Sequence, residues 1–149
     1  MPNVLIIFHS LGGNTEKMAK AVAEGVREVK GSKAVVKKAL EAGVEDLLGC
    51  DAIAVGSPDY FSYMAGGAKD FFDRVFYPSQ GKVTGKPCAV FGSAGGPAAV
   101  VLKCLEEMCF SHMKFRKAAD SVGASGSVTE ESLAECRALG KKLAEAAAR

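Results

Sequence analysis

The sequence lacks any long hydrophobic run. The longest uncharged apolar run near its start, Val4 to Phe8, is too short for a signal-peptide core or a membrane span. Apolar residues make up 48% of the 149 residues, and this content suits one packed core. We therefore expect a single domain over residues 1–149, cytoplasmic and without membrane insertion.

Cysteine pairs and a strong charge of one sign are also missing. The five cysteines are odd in number and include no C-x-x-C pair, so the pattern favours neither a disulfide framework nor a metal site. The net charge of +2 is too small, and the lysines are too dispersed, to indicate nucleic-acid binding. We interpret the cysteines as buried small hydrophobic residues: Cys50, Cys88, Cys104, Cys109 and Cys136.

Short apolar runs alternate with amphipathic helical patterns along the chain. This alternation predicts an α/β fold, a doubly wound parallel sheet with helices on both faces. We predict buried strands at 4–8, 52–56 and 88–91, an edge strand at 34–39 and a weakly patterned fifth strand within 113–123.

Helix ends are predicted from glycine, proline and capping patterns. The first helix starts near Thr15 and should stop at Gly31, and a short helical turn covers 45–48. Helix 66–77 should end at Pro78, and the next should start at Pro97. Residues 127–130 (S-V-T-E) are interpreted as a capping box for the closing helix.

The loop after the first strand contains neither G-x-x-x-x-G-K-[ST] nor G-x-G-x-x-G. Gly12 and Gly13 let the backbone approach a ligand, while the amides of Asn14 and Thr15 open a helix whose positive end favours an anion. Ser10 adds a hydroxyl. The pattern predicts a phosphate site, and the alternative is a tight strand-to-helix turn with no ligand.

Two further loops are rich in glycine, serine or aromatic residues, and they follow the third and fourth predicted strands. In open parallel sheets, ligands bind beyond the carboxyl ends of the strands, near the point where the strand order reverses. We therefore expect all three loops to meet at one edge of the sheet.

Three strings of residues resemble motifs of one known protein family. Residues 6–22 (IIFHSLGGNTEKMAKAV) match the flavodoxin phosphate-loop signature at every specified position. Residues 56–64 (GSPDYFSYM), followed by 69–74 (KDFFDR), resemble the loop and helix after strand three in that family, and 91–96 (FGSAGG) resembles its second flavin loop.

The resemblance to the flavodoxin-like FMN proteins implies a five-stranded sheet of order 2-1-3-4-5 that binds FMN. It places the phosphate in the first loop and the isoalloxazine ring between the other two. The implied phosphate ligands are Ser10, Gly12, Gly13, Asn14 and Thr15. The implied ring contacts are Pro58, Asp59, Tyr60, Phe61, Ser62 and Tyr63 on one side, with backbone donors from Ser93, Ala94, Gly95 and Gly96 at the pyrimidine edge.

The chain also departs from the electron-transfer flavodoxins. Those proteins are typically strongly acidic and usually stack a tryptophan or tyrosine on the flavin, whereas this chain is slightly basic, lacks tryptophan and has no glycine within 58–65. Residues 61–64 (FSYM) instead resemble the loop of the flavodoxin-like NAD(P)H:quinone oxidoreductases. Those enzymes usually carry glycine where this chain has Ser62, and they are longer, with an insertion after strand four.

Three functions remain open at this stage. The favoured one is an FMN-bound electron carrier that exchanges electrons with redox partner proteins. The second is a reductase that uses NAD(P)H and passes electrons to a quinone or free flavin, and the third is a flavin-free binding module. Neither the carrier nor the reductase requires a catalytic acid. His9 either touches the ligand or packs beside strand one.

Overall fold

The central sheet is parallel along its main path. The computed structural model describes all 149 residues, and the strand order is β2-β1-β3-β5, with β6 and β7 both pairing with the free side of β5. The predicted order 2-1-3-4-5 is confirmed, since β6 and β7 together occupy the fifth position. The strands are β1 Asn3–Phe8, β2 Lys33–Lys38, β3 Ala52–Tyr60, β4 Tyr63–Met64, β5 Pro87–Ala94, β6 Arg116–Lys117 and β7 Val122–Ser125.

Helices cover both faces of this sheet, and the doubly wound α/β prediction is confirmed. One core cluster joins the sheet to the first and last helices, and the other joins it to the three helices between them. None of the helices is long and apolar enough to cross a membrane. They are α1 Asn14–Arg27, α2 Val44–Gly49, α3 Gly66–Ser79, α4 Ala99–Glu106, continued by a π-helical turn Glu107–His112, and α5 Glu130–Ala147.

Every strand differs from its predicted bounds: β1 and β2 by one residue, β5 by one residue at its start and three at its end, and β3 and the fifth strand by more. Strand β3 does not end at Gly56 but runs on to Tyr60, paired with β5 as far as Pro58 and with β4 at Asp59 and Tyr60. Proline is tolerated there because β1 has already ended at Phe8 and no longer needs a donor from β3. The fifth strand is split, and at the interruption Ser121 Oγ donates to the carboxylate of Glu106 (2.6 Å), a contact with a helix rather than with the sheet.

Three predicted helix ends were wrong by a few residues. Helix α1 ends at Arg27, before Gly31, because the following amides bond three residues back instead of four. Pro78 lies inside the last turn of α3, and α4 begins at Ala99, two residues after Pro97.

The capping box of α5 lies two residues later than predicted. Thr129 Oγ1 accepts the N–H of Ser132 (3.2 Å), and Ser132 Oγ accepts the N–H of Thr129 (2.8 Å). Ser127 and Glu130 are therefore not the capping pair, because a serine at the third helical position completes the reciprocal bonds that we had assigned to a glutamate.

The cysteines follow the buried interpretation with one exception. Four are buried, whereas Cys104 on α4 is half-buried. Burial raises the pKa of the Cys136 thiol to about 12, and it also raises the pKa values of Cys50 and Cys88. These thiols remain protonated at neutral pH.

Helices α1 and α5 touch backbone to backbone through two glycines. A Cβ on Gly140 would overlap the carbonyl oxygen of Val22, and a Cβ on Gly25 would overlap the carbonyl oxygen of Arg137. Each helix thus presents a glycine to the main chain of the other. The contact sets the distance between α1 and α5, and α1 begins directly after the predicted phosphate loop.

We predict that Gly140→Ala lowers the free energy of unfolding by about 2 kcal/mol, because the helices must separate. The loss should occur even though alanine favours a helix over glycine by about 1 kcal/mol. Urea unfolding followed by circular dichroism measures it. Gly49→Ala is the matched control, since a Cβ there meets nothing within 4 Å. Equal stabilities for the two variants would contradict the close contact.

We also predict that one thiol in five reacts rapidly with Ellman's reagent at pH 8 in the native protein. The reactive thiol should be Cys104, because it is half-buried whereas the other four are buried and out of reach of the reagent. Unfolding in guanidinium should release all five. Cys104→Ser should abolish the fast phase, and two or more fast thiols would show that the core opens readily.

Candidate functional site

A cleft of about 210 Å³ lies at the carboxyl edge of the sheet. The first, third and fourth strand loops meet there, as predicted, and the loop after β7 joins them. Of the predicted residues, Gly13, Phe61, Ser62, Tyr63 and Gly96 are not part of the lining. The lining consists of Ser10, Leu11, Gly12, Asn14, Thr15, Pro58, Asp59, Tyr60, Ser93, Ala94, Gly95 and Gly126.

The first loop leaves a row of amides without partners. Gly13 caps α1 in the left-handed region (φ 97°), which glycine adopts without strain, and its N–H donates to Ser10 Oγ (3.0 Å). The amides of Asn14, Thr15 and Glu16 donate to no group of the protein. These free donors lie at the positive end of the helix dipole, so the loop is suited to an anion.

A buried hydroxyl pair ties the first loop to the loop after β5. Thr15 Oγ1 and Ser93 Oγ lie 2.8 Å apart, and both side chains are buried. One hydroxyl donates and the other accepts, so one of the two protons stays available for a further acceptor. The pair therefore fixes the distance between the two loops and offers a hydroxyl donor at the base of the cleft.

The loop after β3 is a tight hairpin into β4. Phe61 (φ 58°) and Ser62 (φ 62°) are both left-handed, as in a type I′ turn, although such positions usually hold glycine or asparagine. Asp59 Oδ1 accepts the N–H of Ser62 (2.8 Å), and Ser57 Oγ accepts the N–H of Ala65 (2.8 Å). These bonds hold the turn, and they leave Phe61 fully exposed at its tip.

Two lining residues were missed from the sequence. Leu11 is exposed beside the cleft, and Gly126 follows β7 with its N–H donating to the carbonyl of Ala94 (2.7 Å). Gly126 follows the fifth strand directly, so it lies at the same edge of the sheet as the predicted loops. The weak and interrupted pattern of that strand hid this position.

The residues of the cleft fit FMN. Unpaired amides at the start of α1 suit a phosphate, and the backbone N–H groups of Gly95 and Gly96 also donate to no group of the protein. Free backbone donors of this kind suit the polar edge of a flavin ring. Asp59 is the only charged residue lining the cleft, and its carboxylate already accepts a backbone N–H.

Comparison with known proteins gives the family. The model of the family of NADPH-dependent FMN reductases matches residues 2–127. The chain belongs to this family. It is 35% identical to a flavodoxin of Aquifex aeolicus (strain VF5), over 97% of this chain and 86% of that protein.

Two other relatives match over nearly the whole chain. An NAD(P)H dehydrogenase (quinone) of Archaeoglobus fulgidus is 32% identical over 99% of this chain and 98% of that one. The solved structure of a flavodoxin from the domain Archaea superposes with a TM-score of 0.82, at 26% identity and 99% coverage of both chains. The family assignment and these relatives confirm the prediction of a flavodoxin-like, FMN-binding redox protein.

We predict that Thr15→Val weakens FMN binding about tenfold, because the hydroxyl predicted to bind the phosphate is removed and Ser93 loses its buried partner. Flavin fluorescence quenching by the apoprotein measures the affinity. Riboflavin, which lacks the phosphate, serves as the internal control and should lose less affinity. Equal losses for FMN and riboflavin would show that the hydroxyl pair only holds the loops together.

Proposed function

We propose that this protein is an electron carrier, with FMN bound in the cleft and a redox partner protein docking over its mouth. Bound FMN would supply the one- and two-electron chemistry. The lining residues named above and the exposed hairpin would hold it, with the α1 amides and the hydroxyls of Ser10 and Thr15 on the phosphate and Tyr60 against the ring. The free thiols suit the reducing cytoplasm as the place of action.

The observation that carries this proposal is the hairpin tip beside the cleft. Phe61 is a bulky residue in the left-handed region, where such residues are rare, and no group of the chain covers its ring. Leu11 and Val100 are also exposed at this edge. Aromatic side chains are enriched among the residues that dominate protein–protein binding. An exposed aromatic beside an electron-transfer cofactor suits a protein partner.

The cleft also suits docking that depends little on charge. The residues of its lining carry one charge, on Asp59, and the net charge of the chain is +2. A strongly acidic surface would both steer a basic partner and oppose addition of an electron to the flavin. This chain has no strongly acidic net charge to steer a basic partner or to oppose reduction of the flavin. Association with a partner should therefore depend on apolar contact more than on salt-dependent attraction.

The alternative is an FMN-dependent reductase that takes electrons from NAD(P)H and passes them to a quinone or free flavin. The family assignment and the quinone-dehydrogenase relative favour this alternative. The full-length match to flavodoxins favours the carrier. The electron source therefore separates the two functions, and it can be tested directly.

The test is an anaerobic visible spectrum of the FMN-loaded protein, recorded as NADPH and then NADH is added. If the protein is a carrier, the flavin stays oxidised and its absorbance does not change with either nucleotide alone. The absorbance falls when a flavodoxin reductase is added together with NADPH. Bleaching within seconds by nucleotide alone would overturn the carrier and establish the reductase, and quinone turnover would then be assayed.

We predict that Phe61→Ser slows reduction through the flavodoxin reductase about fivefold or more, because an apolar anchor of the docked complex is lost. Stopped-flow absorbance measures the rate. Reduction by dithionite, which needs no docking, should be unchanged. Tyr77→Ser is the matched control, since Tyr77 is an exposed aromatic at the far end of α3. An equal effect of both variants would contradict docking at the hairpin.

A further inference from the structure

His9 packs against Tyr60, a residue of the cleft wall, but does not itself line the cleft. It follows β1, its N–H donates to the carbonyl of Gly56 (3.2 Å), and its side chain is half-buried. Its imidazole meets the ring of Tyr60 edge to face, with ring centres 6.1 Å apart and planes at 85°. Tyr60 in turn lines the cleft. His9 is therefore one side chain removed from the cleft.

The imidazole also packs against the start of α3. A Cβ on Gly67 would overlap Nδ1 of His9 and would come within 2.9 Å of Cε1 and 3.1 Å of Cγ. A side chain of any size at position 67 would therefore push the imidazole away. The neighbouring Gly66 shows no such restriction, since a Cβ there meets nothing within 4 Å.

Neither imidazole nitrogen is hydrogen-bonded to the protein, and the side chain makes no salt bridge. Packing alone holds the imidazole ring, which contacts the backbone of Gly67 and the aromatic ring of Tyr60. Because edge-to-face aromatic pairs have a preferred geometry, the fixed imidazole of His9 favours one orientation of the Tyr60 ring. Loss of the clamp should free Tyr60 to change its rotamer.

We propose that His9 is a positioning residue, which with Gly67 forms a socket that fixes the orientation of Tyr60 toward the flavin ring. The proposal rests on the FMN contact proposed for Tyr60. It explains why a ring at position 9 and a glycine at position 67 occur together. His9 itself does not line the cleft.

The test is FMN affinity in a cycle of variants, measured by fluorescence quenching. His9→Ala should weaken FMN and riboflavin binding by a similar factor, about fivefold, since the effect is on the ring and not on the phosphate. In a Tyr60→Leu background the same change should have no further effect. A ring at position 9 should restore binding, so His9→Phe should lie close to the unsubstituted protein.

A second route displaces the imidazole without removing it. Gly67→Ala should weaken FMN binding as His9→Ala does, whereas Gly66→Ala should leave it unchanged. Combining Gly67→Ala with His9→Ala should cost no more than His9→Ala alone, since the space is then free. This route keeps the proposal testable if His9→Ala folds poorly.

Two readouts report on Tyr60 beyond affinity. The aromatic proton resonances of Tyr60 in the apoprotein should shift in His9→Ala, because the ring current of the imidazole is lost, and the visible circular dichroism of bound FMN should change. An unchanged flavin dichroism, or an equal loss of affinity with and without Tyr60, would overturn the proposal. Neither readout depends on which compound supplies electrons to the flavin. The carrier proposal could therefore fail while the positioning role of His9 stands, and the positioning role could fail while the carrier proposal stands.

Discussion

The parallel register of β1, β3 and β5 controls the position of the site. Phe8 lies opposite Gly56, and Gly56 lies opposite Phe91, so the loops that follow the three strands lie at the same edge of the sheet, although β3 and β5 run on past the end of β1. The strands are buried on both faces, and a slip of one residue would turn each side chain toward the wrong layer. Core packing thus aligns the three loops, and the cleft is a consequence of that alignment.

Within this frame, the site is built from backbone groups and small hydroxyls rather than from charged side chains. The open start of α1 supplies an anion-binding end, and the buried pair of Thr15 and Ser93 sets the spacing of two loops. The hairpin after β3 adds two left-handed residues, Phe61 and Ser62, that are held by hydrogen bonds at its base. Rigid loops of this kind suit a cofactor that carries the chemistry itself.

Local patterns predicted the first loop well and other features less well. Residues 10–15 are contiguous, so glycine, hydroxyl and helix start could be recognised together in the sequence. Gly126 was missed because the strand before it is short and interrupted by charged residues. The capping pair of α5 was placed two residues early, since several serines and threonines precede that helix and only the backbone geometry selects Thr129.

The sequence alone determined the α/β class and the loop predicted to bind phosphate, because these depend on hydrophobic periodicity and on residues close together in the chain; the strand order was predicted from the resemblance to the flavodoxin-like proteins. The tertiary structure decided which aromatic faces the cleft. Tyr60 lines it whereas Phe61 points into solvent, and His9 packs against Tyr60 and Gly67. Neighbouring residues of one short loop share the same composition and pattern, and only the turn geometry and contacts across 50 residues of chain distinguish their side chains.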